Sequence, residues 1–422
     1  MSIQSAPPSV APSRQSRQSR QSRQELLVEL AAEFAETAAE HDRSGIFPVA
    51  NLDRLRQAGL VGLTVPVAYG GVEAGLSDVV EVLGTIARGD PSTALVLAMT
   101  YLIHAHYGRS GEWPEEAYAP VARSTVEEGA MVNGLRVEPD LGTPARGGIP
   151  ATTGRWTGDG WELTGHKIYS TGAPVLRWML VWGATDPASD PVGDAASQEQ
   201  PESSQEQPKS REPRVGTFLV PADAPGIEII RTWDHFGMRA TESHDVVFNR
   251  VRLDAGAGIA LTPVSTLKDP AAAGSNIASW NGLAISAIYL GVAEAARDWL
   301  ISFLHERVPS NLGKPLASLP RFQAAVGEID VTLTTIRMLV ETTAREVDAG
   351  KAVLASSGSA VKSVVTNAAI NVVGQAVALI GNPGLTRANP LERHYRNVLC
   401  GRVHTPQDDA IHAAAGRALL AR

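Results

Sequence analysis

The sequence predicts an α+β chain in three parts: an N-terminal helical domain, a small central β domain and a C-terminal four-helix bundle. Three observations predict it. Apolar residues recur at helical spacing over about 25–129. Over about 130–255 the apolar runs become short and are broken by Gly and Pro, the texture of strands. From 256 onward the helical pattern returns in long segments at 276–304, 320–349 and 352–381, and a shorter one at 408–421.

Each element has a local reason. Residues 1–24 are rich in Pro, Ser, Gln and Arg, and the RQS repeat carries Arg14, Arg17, Arg20 and Arg23; this reads as a disordered, solvated arm. Leu27, Leu30, Ala31 and Phe34 then fall on one helical face, and Leu52, Leu55 and Leu60 on a second. Pro66, Gly70, Gly71 and Gly75 mark a loop. Ser77 is placed to cap a third helix with Val79, Val80, Leu83 and Ile86 inside. Asp90-Pro91 opens a fourth through Leu95, Leu97 and Leu102. Strands are expected around Trp161–Thr164, at 178–182 and 216–220, and around Val246 and Phe248. The segment 186–214, with two copies of SQEQP, reads as a disordered insertion at a hairpin tip, where added length costs little closure entropy.

Composition excludes several classes. The 422 residues are 44% hydrophobic and 19% charged, with a net charge of -8, so a large core is available and a general nucleic-acid surface is not expected. The single cysteine, Cys400, permits no internal disulfide and no cysteine metal cluster. His104 and His106 are two apart and so leave a helix on different faces; no metal site is expected. The polar start lacks the apolar region of a secretory signal, and a cytoplasmic location is expected. The most membrane-like stretch, 277–296, contains Ser279, Asn281, Ser286 and Glu294 and reads as a core helix, with no membrane span.

Four words in this order carry a resemblance: LRQAGLVGLTVPVAYGG at 55–71, GLRVEPDLGTP at 134–144, LTGHKIYSTGA at 163–173 and WDHFGMRATESHDVVFNRVRL at 233–253. Together they resemble the acyl-CoA dehydrogenase superfamily over nearly the whole chain from residue 25. The resemblance implies a flavin (FMN or FAD) between the β domain and the C-terminal helices. It implies that Tyr169 supplies an aromatic wall and Thr171 a hydroxyl near the ring, with Ser170 between them and Thr143 near the ring or pyrophosphate. Ordinary strand packing of Tyr169 and Thr171 is the alternative, since both are good strand formers. Arg307, Gln323 and Gly381 match positions that hold the cofactor's diphosphate and adenosine across a subunit interface, and Gln407 and Asp409 are further candidates. A planar guanidinium suits a diphosphate because it donates two parallel bonds; a surface salt bridge to Glu306 or Glu328 is the alternative for Arg307. The shared site implies a homodimer or homotetramer.

The chain departs from a dehydrogenase at the base. Members of that group remove a carbon-bound proton with a Glu, and a general base must be in reach. The matching loop position here is Thr405, in RNVLCGRVHTPQDD at 396–409, and the internal-helix alternative falls at Trp280, Asn281 and Gly282. Neither place holds an acid. The loop holds His404, and it is similar to the loop of dibenzothiophene monooxygenase and related two-component flavin monooxygenases. This implies a monooxygenase that takes reduced flavin from a separate NAD(P)H:flavin reductase and oxidises a sulfur, nitrogen or aromatic substrate. His404 would handle a proton, its ordinary pKa lying near working pH; a loop histidine bonded to Asp408 or Asp409 is the alternative. Tyr101, His104 and Asn133 are further pocket candidates; His394 and His412 sit in no motif. An acyl-CoA or acyl-carrier-protein dehydrogenase and a non-catalytic flavin-fold binding protein are the other two readings.

Overall fold

The computed structural model describes residues 14–142, 148–191, 212–266, 276–351 and 357–421. The N-terminal part contains α1 (Arg14–Ser44), α2 (Val49–Gln57), α3 (Leu76–Gly89), α4 (Pro91–Ser110) and α5 (Glu115–Glu128). Helix α1 starts ten residues before the expected end of the disordered arm. Arg and Gln are good helix formers, and Arg23 is tied down by Asp78 and Glu81, each at 2.5 Å. Residues 1–13 lie outside the described residues. Asp90 caps α4 as expected, accepting from the Ser92 and Thr93 amides. Ser77 does not cap α3. The helix begins one residue earlier, at Leu76, and the carboxylate of Asp348, distant in sequence, takes the Leu76 and Ser77 amides at 2.6 and 2.9 Å.

The middle part is one sheet of β1 (Met131–Leu135), β2 (Thr153–Trp156), β3 (Gly160–Lys167), β4 (Leu176–Thr185), β5 (Arg214–Pro221), β6 (Ile227–Ile230), β7 (Asp245–Asp254) and β8 (Gly258–Pro263). Its order is β6-β7-β3-β2-β4-β5-β8, with β1 parallel to β4. The sheet therefore runs on to Pro263, past the expected boundary at 255, because β8 pairs with β5. The insertion is also shorter than expected at its stem. Residues 186–191 form a turn, and Asp190 holds Arg214, the first residue of β5, at 2.6 and 2.8 Å. Residues 192–211 lie outside the described residues.

The C-terminal part contains α6 (Asn276–Glu306), α7 (Pro320–Asp348), α8 (Ser357–Ile380), α9 (Leu391–Leu399) and α10 (Asp408–Leu420). Helix α6 packs on α3, α7 and α8, which explains why it is apolar on all sides. It crosses α3 at two glycines: a Cβ on Gly291 would lie 2.2 Å from the Gly84 carbonyl oxygen. In α8, Gly358–Ile380 is long and apolar enough to cross a membrane by length and composition; its Val361, Val365, Ala369, Val372, Val373 and Ala376 join the core instead.

A sealed ion pair fixes the end of β3. Lys167 is fully buried and Glu138 nearly so, and Nζ donates to Oε1 at 2.6 Å. Glu138 also accepts from the Ala151 and Thr152 amides and the Thr152 hydroxyl. Burial raises the carboxyl, but the bonds from Lys167, Thr152 and Ala151 overcome it and hold the acid below its ordinary range. Replacing Lys167 by Met leaves a buried carboxylate unpaired. We expect the Lys167→Met variant to lose about 3–5 kcal/mol of stability, read by urea denaturation at neutral pH; an unchanged midpoint would show that the pair is dispensable.

Candidate functional site

Beyond Lys167 the chain makes one bridge, Ile168 to Val137, and then leaves the sheet. Tyr169 has φ +55° and is 54% exposed. Positive φ is rare for a residue with a bulky side chain and is held only where the surroundings impose it. Its ring meets Trp233 and His235 edge-on, with centroids 6.3 and 5.9 Å away. Trp233 and His235 themselves stack at 3.6 Å and 13°. The result is an exposed aromatic corner. Ser170 is buried, its amide donates to the His244 carbonyl, and its hydroxyl has no partner among the described residues. Thr171 Oγ1 accepts from Ser243 Oγ at 3.0 Å, which leaves its own O–H free to donate.

The segment 233–244 joins this corner to the C-terminal helices. On one side Thr241 bonds Ser243, which bonds Thr171. On the other, the Met238 amide donates to Asn397 Oδ1 at 2.7 Å. Gly237 lies so close to α9 that a Cβ would stand 2.2 Å from the Arg396 carbonyl oxygen. From α9 the chain passes through a short turn at Cys400–Arg402 and reaches His404. Burial raises the Cys400 thiol to about 11, so it remains protonated and is a poor nucleophile.

His404 Nε2 lies 2.7 Å from the hydroxyl of Tyr289, a fully buried residue of α6. Burial, with a smaller contribution from Lys362, lowers the imidazole to about 4. It is therefore neutral near pH 7. Burial pushes the Tyr289 phenol well above its ordinary value, so it keeps its proton. His404 is that hydroxyl's one partner among the described residues, so we assign Tyr289 as the donor to Nε2 and the imidazole proton to Nδ1. The loop is pinned from two sides: Asn281 Nδ2 donates to the Thr405 carbonyl at 2.7 Å and Lys362 Nζ to the Pro406 carbonyl at 3.0 Å.

Several expected roles are revised. Tyr101 is fully buried and its hydroxyl donates to the Leu60 carbonyl at 2.6 Å, so it is structural and not a pocket group. His104 is likewise buried, with Tyr118 and Thr125 on its two ring nitrogens at 3.0 Å each. Asn133 spends Nδ2 on the Thr171 carbonyl at 3.0 Å; it positions the strand end and is not a catalytic group. Arg307, Gln323 and Gly381 are exposed on the chain, and Gln323 Nε2 bonds the Ala317 carbonyl in the turn whose Leu316 amide bonds Arg307. Neither Glu306 nor Glu328 forms an ion pair with Arg307 among the described residues. Gln407 is the residue before α10 and Asp409 lies in its exposed first turn. Thr143 lies outside the described residues. No group of three or more His, Cys, Asp or Glu suited to a metal occurs among the described residues.

Trp233, His235, Ser243 and Tyr289 were not singled out from the sequence. The first three sit inside the 233–253 word, where their types gave a signal. Tyr289 had none, being one apolar-compatible residue in a long apolar helix. The acids that approach this region have other partners, although Oδ1 of Asp408 is buried without a hydrogen bond and only faces Lys362 Nζ at 3.8 Å. Glu242 accepts the Phe47 amide at 3.0 Å, Asp245 takes His166 and Thr232, and Asp408 takes Asn367. An exposed aromatic corner, a buried hydroxyl without a partner and a hydroxyl oriented to donate fit a flat heteroaromatic ring with a polar edge.

Three family models match the chain: acyl-CoA dehydrogenase N-terminal domain over 16–111, middle domain over 137–251 and C-terminal domain over 283–408. YdbM of Bacillus subtilis (strain 168), named for the acyl-CoA dehydrogenases, is 36% identical over 399 residues, covering 93% of this chain and 96% of the relative. The L-evernosamine nitrososynthase of a Micromonospora species is 28% identical over 418 residues, covering 94% and 89%. Among solved structures, KijD3 in complex with FMN and a dTDP-linked amino-keto sugar superimposes with a TM-score of 0.77 at 26% identity, covering 94% of this chain and 93% of that one.

The buried histidines predict acid sensitivity. Burial lowers His104 to about 3, and burial with Arg393 lowers His394 to about 3. Both values lie below the unfolded value, so unfolding takes up protons and stability falls as pH drops below about 6.5. Each ring should cost about 1.4 kcal/mol per pH unit, roughly 2 kcal/mol between neutral pH and about pH 5. Urea midpoints across that range measure it, and His394→Gln should flatten the dependence by about one proton; a pH-independent midpoint contradicts the assignment.

Proposed function

The chain belongs to the acyl-CoA dehydrogenase family, and on that premise we propose that it is a flavin-dependent monooxygenase that uses reduced flavin and O2 on a small organic substrate. The observation that carries this reading is His404. A neutral imidazole with its proton on Nδ1 lies next to Thr405, the loop position that matches the dehydrogenase glutamate. Glu242 and Asp245 are bonded to other partners, and Asp408 spends Oδ2 on Asn367 while its Oδ1 faces Lys362 at 3.8 Å without a hydrogen bond.

Tyr169 would hold one face of the isoalloxazine, with Trp233 and His235 fixing the Tyr169 ring edge-on. Thr171 would donate to the ring edge, and the unpartnered hydroxyl of Ser170 would find a partner there. Reduced flavin, when bound, supplies the electrons that activate oxygen. His404 would present its Nδ1–H as a hydrogen-bond donor to the reacting oxygen, and Tyr289 keeps the ring in the tautomer that carries it. Asn133 and Ser243 hold the Thr171 backbone and hydroxyl in place. The substrate class is a reduced nitrogen, a sulfide or an electron-rich ring; nitrogen and sulfur accept an oxygen atom without loss of a carbon-bound proton, and the nitrososynthase relative supports nitrogen.

The partners follow from the same reading. Electrons reach the flavin from a separate NAD(P)H:flavin reductase. The exposed Arg307, Gln323 and Gly381 would reach the cofactor of a second subunit in a homodimer or homotetramer. We place the enzyme in the cytoplasm. A second reading, acyl-thioester dehydrogenation, is favoured by the 36% identity to YdbM.

Two measurements separate these readings and test the residues. With a general flavin reductase and NAD(P)H, substrate-dependent oxygen uptake is expected for an amine or sulfide. Anaerobic bleaching of bound flavin by an acyl-CoA would instead establish the dehydrogenase. His404→Ala should lower oxygenation by roughly 100-fold or more with flavin affinity nearly unchanged, and Tyr289→Phe by roughly 10-fold. Thr171→Ala should weaken flavin binding by roughly 10-fold. Full oxygenation rates in both His404→Ala and Tyr289→Phe would remove the pair from the mechanism.

A further inference from the structure

A cavity of about 860 Å³ lies between α1, α3, α6 and α9, lined by residues that the flavin reading does not use. That volume is in the range of small-molecule sites, about 300–1,000 Å³. Its floor is opened by small side chains, Ala31, Ala35 and Ala39 of α1 and Ala295 of α6, and its walls include Trp299 and Phe236. Six arginines and three carboxylates line it.

The carboxylates are already taken. Asp42 accepts both terminal nitrogens of Arg396 at 3.0 and 2.6 Å. Glu392 accepts from the same guanidinium at 2.7 and 3.0 Å. Asp298 pairs with Arg88 at 2.5 Å and with Arg297. Arg239 is held by the Asp42 carbonyl and by Asp234. This leaves Arg43, Arg387 and Arg393 with no ion pair within 4.0 Å among the described residues. Arg43 and Arg387 are exposed, but Arg393 is 8% exposed. Beside it, His394 is 4% exposed, and its Nδ1 is buried without a hydrogen-bond partner. Arg393 feels Asp42, Asp90 and Glu392 only at longer range, and burial still lowers it; a buried guanidinium without a direct ion pair is costly, and so is an orphaned ring nitrogen. Both costs fall if an anion occupies the cavity.

We propose that this cavity is a second ligand site, for a small organic phosphate whose charged group meets Arg43, Arg387 and Arg393 and whose flat ring lies against Trp299 and Phe236. Guanidinium forks suit phosphate oxygens because they donate two parallel bonds. Aromatic walls suit a purine or similar ring. A nucleoside phosphate combines the two parts, whereas inorganic phosphate alone would use only the first.

The test uses the full chain saturated with FMN and three probes: ADP, pyrophosphate and adenosine. Calorimetry should show ADP binding more tightly than pyrophosphate, with adenosine weakest, and an ADP affinity that falls as salt rises. Arg393→Ala is a risk to folding because the residue is buried. The exposed pair Arg43→Ala/Arg387→Ala is therefore the working variant, and it should weaken ADP by at least about 10-fold while its thermal midpoint without ligand stays put. Absence of ADP and pyrophosphate binding at about 1 mM would overturn the proposal. So would ADP binding that survives in the double variant and is lost in Arg307→Ala, which would assign the nucleotide to the cofactor arm. These outcomes are independent of whether the chain is a monooxygenase or a dehydrogenase.

Discussion

The contact between Lys167 and Glu138 decides where strand β3 ends, and the candidate site hangs from that end. A buried pair of this kind gains little net stability over apolar packing, but losing one partner is expensive. Its effect here is positional. Glu138 gathers Lys167, Thr152 and the Ala151 amide around one carboxylate, so the turn after β1 and the end of β3 cannot slide past one another. Only then does the chain leave the sheet at Tyr169, with a backbone angle that throws the ring outward. The strain of that angle is tolerable because the residues on both sides are anchored, Lys167 by its ion pair and Ser170 by its amide bond to His244.

The second constraint is the 233–244 segment, which couples a sheet to a helix bundle. Its one regular element is a single 3-10 turn at Arg239–Thr241, yet it bonds Thr171 through Ser243 and Asn397 through Met238. Gly237 allows backbone to approach backbone at α9. Because the hydroxyls of Thr241, Ser243 and Thr171 form one line, the direction in which Thr171 can donate is set from the far side of the domain boundary. An aromatic stack of Trp233 on His235 stiffens the same segment. Changes in the packing of α9 therefore have a short path to the aromatic corner at Tyr169, made of three bonded groups.

Most of the fold was legible because it depends on local patterns. The long helices show the 3.6-residue period, and Asp90 announces its helix by a carboxylate placed before a proline. What was not legible depends on distant partners. Ser77 carried the right chemistry for a cap, but Asp348, distant in sequence, supplies it. Arg23 looked like part of a solvated arm until Asp78 and Glu81 were brought beside it. Tyr101 has the residue type of a pocket group, but its hydroxyl was claimed by the Leu60 carbonyl. For the candidate site, the 163–173 word singled out Tyr169, Ser170 and Thr171, and the loop at 396–409 singled out His404. Tyr289 stayed hidden because one phenol in an apolar helix changes neither the period nor the composition.

The pairing of Tyr289 with His404 limits what chemistry the loop can perform. An imidazole lowered to about 4 is no stronger a base than a carboxylate, so basicity alone does not separate an oxygenase from a dehydrogenase. The bonding pattern adds a second constraint. With Nε2 accepting from the phenol, Nδ1 carries the hydrogen and offers it as a hydrogen bond. A neutral imidazole does not release that hydrogen outright, because loss would leave a buried imidazolate, so the ring is a fixed donor and not a proton store. To accept a carbon-bound proton the ring would have to break the Tyr289 bond, stranding a buried hydroxyl with no other partner among the described residues. The Tyr289–His404 pair therefore favours a hydrogen-bond donor over a general base in this loop.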